Sequence, residues 1–185
     1  MNGLDKALFH HINGWPDGLE PVMVFLSKGI DQTPVRIVLG ALLVWLLWRP
    51  VTRVGGLVAG LGWVLANEAT DMWKLIPFAR PGNVEPDAIV RIGLSQSNGT
   101  ASAHSANMAF LAYAFAYYFG WKGSPAVAIA LGVGLSRIYV GAHYPSQVLL
   151  GWTTGVAVAA VVIFIVEKIR SRNTPTANDD APELD

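Results

Sequence analysis

VLLGWTTGVAVAAVVIFIV, residues 148–166, decides the fold class. It contains no charged residue and is followed by Lys168, Arg170 and Arg172. A helix rises about 1.5 Å per residue, so about 20 apolar residues cross the roughly 30 Å hydrocarbon core of a bilayer. The run has that length, and its basic flank suits a cytoplasmic interface. The rest of the 185-residue chain agrees, with 52% hydrophobic residues, 14% charged residues and a mean hydropathy of +0.41. That balance is too apolar for an ordinary soluble domain, and the bilayer is the expected solvent.

Working outward, Ala126–Tyr139 reads as another span, with Ser136 and Arg137 near its end, and Ala103–Phe119 as one more, rich in Ala, Phe and Tyr. Ile37–Trp48 and Val54–Ala66 meet at the Arg49-Pro50 turn and predict a helical hairpin, in which Gly56 and Gly60 allow close packing. Leu19–Ile30 is interrupted by Glu20 and Lys28, and Pro21 suits a helix start, so this segment spans obliquely or lies partly in the interface. The expected fold is therefore an all-α integral membrane bundle of about six transmembrane helices. Six spans put both termini on one side. With Lys74, Arg80 and Arg137 reserved for an anion site, the remaining cations favour cytoplasmic termini and an exterior, periplasmic loop over residues 74–102. One membrane domain, 1–172, is expected, opening with an amphipathic segment over 1–16. Residues 173–185, nearly devoid of apolar side chains, predict a disordered acidic tail.

Several function classes fall away. The chain has no cysteine, which removes thiolate nucleophiles, iron–sulfur clusters and the common zinc motifs. Formal net charge is zero and the basic residues are scattered, so a nucleic-acid groove is not expected. No protein partner is evident. Residues 1–15 carry Asp5, His10 and His11 and lack the pattern of a cleaved secretory signal. Leu4, Leu8 and Ile12 lie beside the two histidines, which fits a surface helix better than a metal site. Arg36, Arg49, Arg53 and Arg91 read as interfacial anchors, and the seven tryptophans as interface belts and packing.

Three polar clusters fall at the predicted exterior helix ends: Lys74 with Arg80, Ser102 with His104, and Arg137 with His143. Ionisable groups are costly near hydrocarbon, so their convergence on one side calls for a function. Two guanidinium forks and an ammonium suit a multiply charged phosphate. Two imidazoles can then divide the chemistry, one attacking phosphorus and the other protonating the leaving oxygen. This chemistry requires no metal or cofactor. Ser102-Ala103-His104 enters a helix, where free N–H groups and the helix dipole favour an anion. Gln147, four residues after His143, lies within reach of its ring. Read singly, Lys74 is an ion-pair partner of Asp71 and Glu68 at helical spacing, and the Arg137–His143 pair is structural.

Together these residues resemble the type 2 phosphatidic acid phosphatase superfamily over roughly residues 60–155. SRIYVGAHYPSQ is similar to the family's third motif, with Ser136, Arg137 and His143 at full spacing; ASAH at 101–104 resembles the second, with alanines in place of its proline and glycine; KLIPFARP resembles the first, one residue short between Lys74 and Arg80. The resemblance implies His143 as nucleophile and His104 as general acid. It implies phosphate binding by Lys74, Arg80, Ser102, Arg137 and the backbone N–H of Ala103. The aspartate that orients the nucleophile in the family is Gln147 here, which can fix the histidine tautomer but supplies no charge, so slower turnover is expected. The implied substrates are lipid phosphates or diphosphates such as undecaprenyl diphosphate or phosphatidylglycerophosphate, handled at a bacterial inner (plasma) membrane with the site facing outward. A lipid phosphotransferase, an inactive lipid-phosphate-binding relative and, last, a small-anion transporter are the alternatives.

Overall fold

The computed structural model describes residues 3–173, and among them the regular secondary structure is all helical, with an irregular segment over 85–102. The order is α1 Gly3–Asn13, α2 Glu20–Lys28, α3 Thr33–Trp48, α4 Arg53–Trp73, α5 Pro81–Val84, α6 Ala103–Phe119, α7 Pro125–Tyr139 and α8 Pro145–Arg172, with short 3-10 turns around α2 and between α6 and α7. Helices α2, α3, α5, α7 and α8 carry proline in their first turn, where a missing N–H breaks no intrahelical bond. Helix α6 starts differently: Ser102 caps it, its Oγ accepting from the Ser105 N–H at 3.3 Å. It stops at Gly120, whose φ of +58° suits glycine.

Small residues set the packing. A Cβ on Gly155 would lie 2.1 Å from the Ala106 carbonyl oxygen, and one on Gly151 2.5 Å from that of Ser102, so α8 rests on the backbone of α6. Gly62 on α4 is filled by the Phe110 ring of α6, and Gly134 on α7 by Trp152 of α8. Val58, Ala66, Phe110, Ala114, Ala159 and Ile163 form the core between α4, α6 and α8. Outward faces are apolar as well: Ile37, Leu61, Val64, Val161 and Phe164 are exposed. Small residues inside and large apolar ones outside are the pattern of helices packing in lipid. Among the described residues, α8 is the one helix long and apolar enough by itself to cross a membrane.

The expected spans 103–119 and 126–139 coincide with α6 and α7, and the hairpin forms from α3 and α4, longer than read. Within Leu19–Ile30 the chain forms α2, and 17–28 together with α3 is apolar enough for one bent pass. Helix α2 has nine residues, about 13 Å of rise. Its start meets the C-terminal end of α7, where Glu20 pairs with Arg91, which donates to the Tyr139 carbonyl, and its last turn lies farther back along α7, with Leu26 against Gly132 and Ser27 meeting the long Arg137 side chain. It then turns into α3 at a bend of 52°. Helix α1 packs at the same end. Asp5 accepts from the backbone and hydroxyl of Ser146, Phe9 meets Tyr144 edge-on, and the buried Asn13 amide pairs with the backbone of Ile89 and Tyr139. Helix α1 therefore lies at the end where α8 begins, and Gly3 and Arg172 lie at opposite ends of α8.

The expected amphipathic segment is helical; it buries Asp5, Phe9 and Asn13 and leaves Leu4 and Leu8 exposed. Arg91, read as an anchor, has a side chain only 3% exposed. It stacks over Tyr139 at 4.0 Å and donates to the Asn13 carbonyl at 2.8 Å, so it clamps α1 to the end of α7. The tail expected over 173–185 lies outside the described residues apart from Asn173.

Because Gly155 faces backbone, Gly155→Ala should lower stability by about 1–3 kcal/mol. Gly40→Ala, with nothing within 4 Å of its Cβ position, should leave it unchanged or raise it slightly. Thermal unfolding of the two variants in detergent checks the contrast, and equal midpoints would contradict the close approach of α6 and α8.

Candidate active site

The spacing of the Ser-Arg-His segment has a local explanation. Helix α7 ends at Tyr139, and Gly141 turns the chain at φ +82°. The N–H groups of Ala142 and His143 then fold back onto the Arg137 carbonyl at 3.0 and 3.1 Å. The histidine is thereby fixed beside the arginine six residues before it. Pro145 restarts the chain as α8, and Gln147 in its first turn accepts from the Tyr144 N–H at 3.1 Å.

His143 is 2% exposed. Its Nδ1 lies 3.2 Å from both the Gly99 carbonyl and Gln147 Oε1, and its Nε2 lies 2.8 Å from Arg80 Nη1. Guanidinium nitrogens only donate, so Nε2 must accept, and Nδ1 carries the proton toward its two acceptors. The ring is thus a neutral imidazole with one lone pair, aimed at Arg80. Burial holds its pKa well below the usual histidine value, the positive charges of Arg137 and Arg80 add to that, and the Gln147 and Gly99 acceptors oppose it.

Arg80 precedes Pro81, which confines it to extended backbone, observed at φ −82° and ψ 143°. Its Nε donates to the Ser97 carbonyl at 3.1 Å and its Nη2 to Ser97 Oγ at 3.3 Å. Gly99 makes this closeness workable, since a Cβ there would sit 2.7 Å from Arg80 Cγ. Gln147 is held from its other side, Nε2 donating to the Ala79 carbonyl at 3.0 Å. A single amide thus ties the nucleophile candidate to the segment that carries Arg80.

Ser102 reaches the same group through the backbone, its N–H donating to the Gln147 carbonyl at 3.0 Å. Its hydroxyl is occupied by Ser105. Ala103 and His104 open α6, where the first N–H groups have no intrahelical acceptor. The charges of Arg137, Asp31, Lys28 and Arg80 all act on the His104 ring. Arg137, 6% exposed, donates through Nη1 to the hydroxyl and carbonyl of Ser27, while its buried Nε has no partner. Lys74 is placed differently from the others: it forms a close ion pair with Asp71 one helical turn earlier, the plainer of its two readings.

The structure thus brings Arg80, His143 and Gln147 into contact and sets Arg137, Ser102, Ala103 and His104 around them, with Lys74 turned to Asp71. Gly99, Ser97 and Ser27 were not read as site residues. The glycine in QSNGT signals a turn, but the role of its carbonyl as an acceptor from the ring depends on the fold of the whole loop. Among the described residues, no group of three or more His, Cys, Asp or Glu side chains is placed to hold a metal ion.

Comparison with known proteins is consistent with this arrangement. YbjG of Escherichia coli (strain K12), named as a candidate undecaprenyl-diphosphatase, is 29% identical over 160 residues, 84% of this chain and 79% of that protein. The bacitracin transport permease protein BcrC of Bacillus licheniformis is 28% identical over 155 residues, 82% of this chain and 73% of that protein. Among solved structures, the transmembrane PAP2 type phosphatidylglycerolphosphate phosphatase from Bacillus subtilis superposes with a TM-score of 0.69 at 21% identity, covering 91% of this chain and 89% of the other. Aquifex aeolicus LpxE does so with a TM-score of 0.74 at 20% identity, covering 88% and 96%. The PAP2 superfamily model matches residues 77–171, the segment that carries Arg80, Ser102, His104, Arg137 and His143, and the chain belongs to that superfamily.

Proposed function

We propose that this chain is an integral membrane phosphatase that hydrolyses a lipid phosphate or diphosphate through a phosphohistidine on His143, without a metal. The observation that carries the reading is the buried, neutral His143 ring with a single lone pair at Nε2, pinned at Nδ1 and flanked by two guanidinium groups. In the resting site Arg80 occupies that lone pair. An arriving phosphate offers Arg80 a charged acceptor, frees Nε2 and brings phosphorus to it.

The first step forms the Nε2–phosphorus bond as the bond to the leaving oxygen breaks, and His104 gives that oxygen its proton. The positive charge developing on the ring is met at Nδ1 by Gln147 and the Gly99 carbonyl. Water then attacks phosphorus, His104 takes its proton, and the electron pair returns to Nε2. Arg80, Arg137 and the N–H groups opening α6 stabilise the equatorial oxygens throughout. Lys74 joins them by leaving Asp71 for the phosphate. Gln147 gives orientation without charge, which favours slow turnover over an inactive binding protein, because the tautomer needed for attack is already set.

The relatives' printed names, an undecaprenyl-diphosphatase and a phosphatidylglycerolphosphate phosphatase, support a lipid substrate whose tail stays in the bilayer. Our reading has five passes: α2 with α3 as one bent pass, then α4, α6, α7 and α8. Arg49, Arg53, Lys122, Lys168, Arg170 and Arg172 lie in the turns and helix end away from the site, which supports a cytoplasmic position for that end and the C-terminus, with the site and α1 outside the bacterial inner membrane.

Purified protein should release phosphate from undecaprenyl diphosphate or phosphatidylglycerophosphate in EDTA and be inhibited by vanadate. His143→Ala should abolish release and His104→Ala should reduce it by roughly 10²- to 10⁴-fold; chelator-sensitive release, or activity surviving in His143→Ala, would remove the phosphohistidine reading. The depressed pKa of His143 also sets a stability window. Its neutral form is favoured in the folded state, so its contribution is full above about pH 6.5 and is lost as pH falls below that value. The unfolding temperature should drop between about pH 6.5 and 4.5 by more in the native protein than in His143→Asn, and parallel profiles would count against a buried neutral ring. Since the chain has no cysteine, single replacements report topology: Gly18→Cys should react with an impermeant maleimide on intact cells, and Ser171→Cys only after permeabilisation. Labelling of both from one side would exclude five passes.

A further inference from the structure

We infer that Ser27, at the C-terminal end of α2, is a positioning residue for Arg137, holding that guanidinium in register with an incoming phosphate; this rests on the proposal that Arg137 binds phosphate. Ser27 is fully buried. Its hydroxyl accepts from Arg137 Nη1 at 2.5 Å and its carbonyl from the same nitrogen at 3.3 Å. The residue lies in the last turn of α2, where carbonyl oxygens lack intrahelical partners and the helix dipole is negative, so this end of α2 is a natural seat for a cation. Arg137 needs such a seat. It is 6% exposed, the positive charge of Arg80 acts on it, and its Nε is buried without a partner.

The geometry divides the guanidinium in two. One corner, Nη1, is committed to Ser27, and Nε is left free for an acceptor that the protein does not supply. Without Ser27, the long side chain regains rotamer freedom and can turn from Arg80, and the two cations no longer present one phosphate-sized acceptor site. Helix α2 thus gains a role that its length and charge alone do not show: too short to cross the bilayer, it brings a polar helix end to the side of α7.

The test uses full-length protein in detergent and orthovanadate as the probe, its affinity read from the concentration dependence of thermal stabilisation and from inhibition of phosphate release. Ser27→Ala should weaken vanadate binding about tenfold, as expected for one lost charged hydrogen bond, with the unliganded unfolding temperature little changed. Ser27→Thr, which keeps the hydroxyl, should restore most of it. In an Arg137→Lys background, Ser27→Ala should produce little further loss, because the two residues act as a unit. Unchanged vanadate affinity in Ser27→Ala, failure of Ser27→Thr to recover it, or full multiplication of the Ser27 and Arg137 effects would each overturn the inference. Vanadate binding that depends on Ser27 in a protein that releases no phosphate would uphold the role of Ser27 and remove the hydrolase reading alone.

Discussion

The site depends on how closely α8 approaches the start of α6. Gly151 and Gly155 have no side chain to keep the helices apart, and the backbone of α8 lies against the carbonyls of Ser102 and Ala106. That approach lets the Ser102 N–H reach the Gln147 carbonyl, and so ties the helix carrying His104 to the helix that follows His143. In a hydrocarbon solvent no hydrophobic force presses these helices together, so van der Waals contact and such polar links must carry the association. A larger side chain at either glycine would separate the two histidines as well as loosen the core.

At this end of the bundle, charge is concentrated where it is costly. Arg80 and Arg137 are both 6% exposed, and the charge of each acts on the buried His143. Among the described residues neither guanidinium has a carboxylate within ion-pair distance, and although the charge of Asp31 acts on Arg137, the pair keeps an excess of positive charge that an anion would relieve. The surroundings hold them through neutral acceptors instead: Ser97 and the Ala142 carbonyl for Arg80, Ser27 for Arg137. Neutral acceptors fix direction without cancelling charge, which keeps the positive field available. Lys74 differs from both, since it is paired with the carboxylate of Asp71.

The long apolar helices and the Ser136-Arg137–His143 spacing were legible in the chain because they depend on local composition and on a short helix-ending turn. Ala103–Phe119 was read to the residue, since Ser102 and Gly120 mark its ends. Leu19–Ile30 is ambiguous in the sequence because an apolar segment with two charges fits an oblique span and an interfacial helix equally well, and its contacts with Arg91 and Arg137 are made across the fold. Arg91 was misread for a related reason: its partners, Asn13, Asp17 and Tyr139, lie 48 or more residues away. Gly99 and Ser27 escaped notice because their functional atoms are a backbone carbonyl and a common hydroxyl, whose roles arise from position and not from residue type.

Helix α1 has one more consequence, in the order of biosynthesis. Its partners are far along the chain: Lys6 pairs with Glu85 and Asn13 with Ile89, and the farthest, Ser146, binds Asp5 across 141 residues. At a synthesis rate of about 5–20 residues per second, Asp5 waits roughly 7 to 30 s for that partner to be made. The seat of His143 is completed only when the last helix arrives and the first closes over its start, so no truncated chain that lacks α8 holds an assembled site.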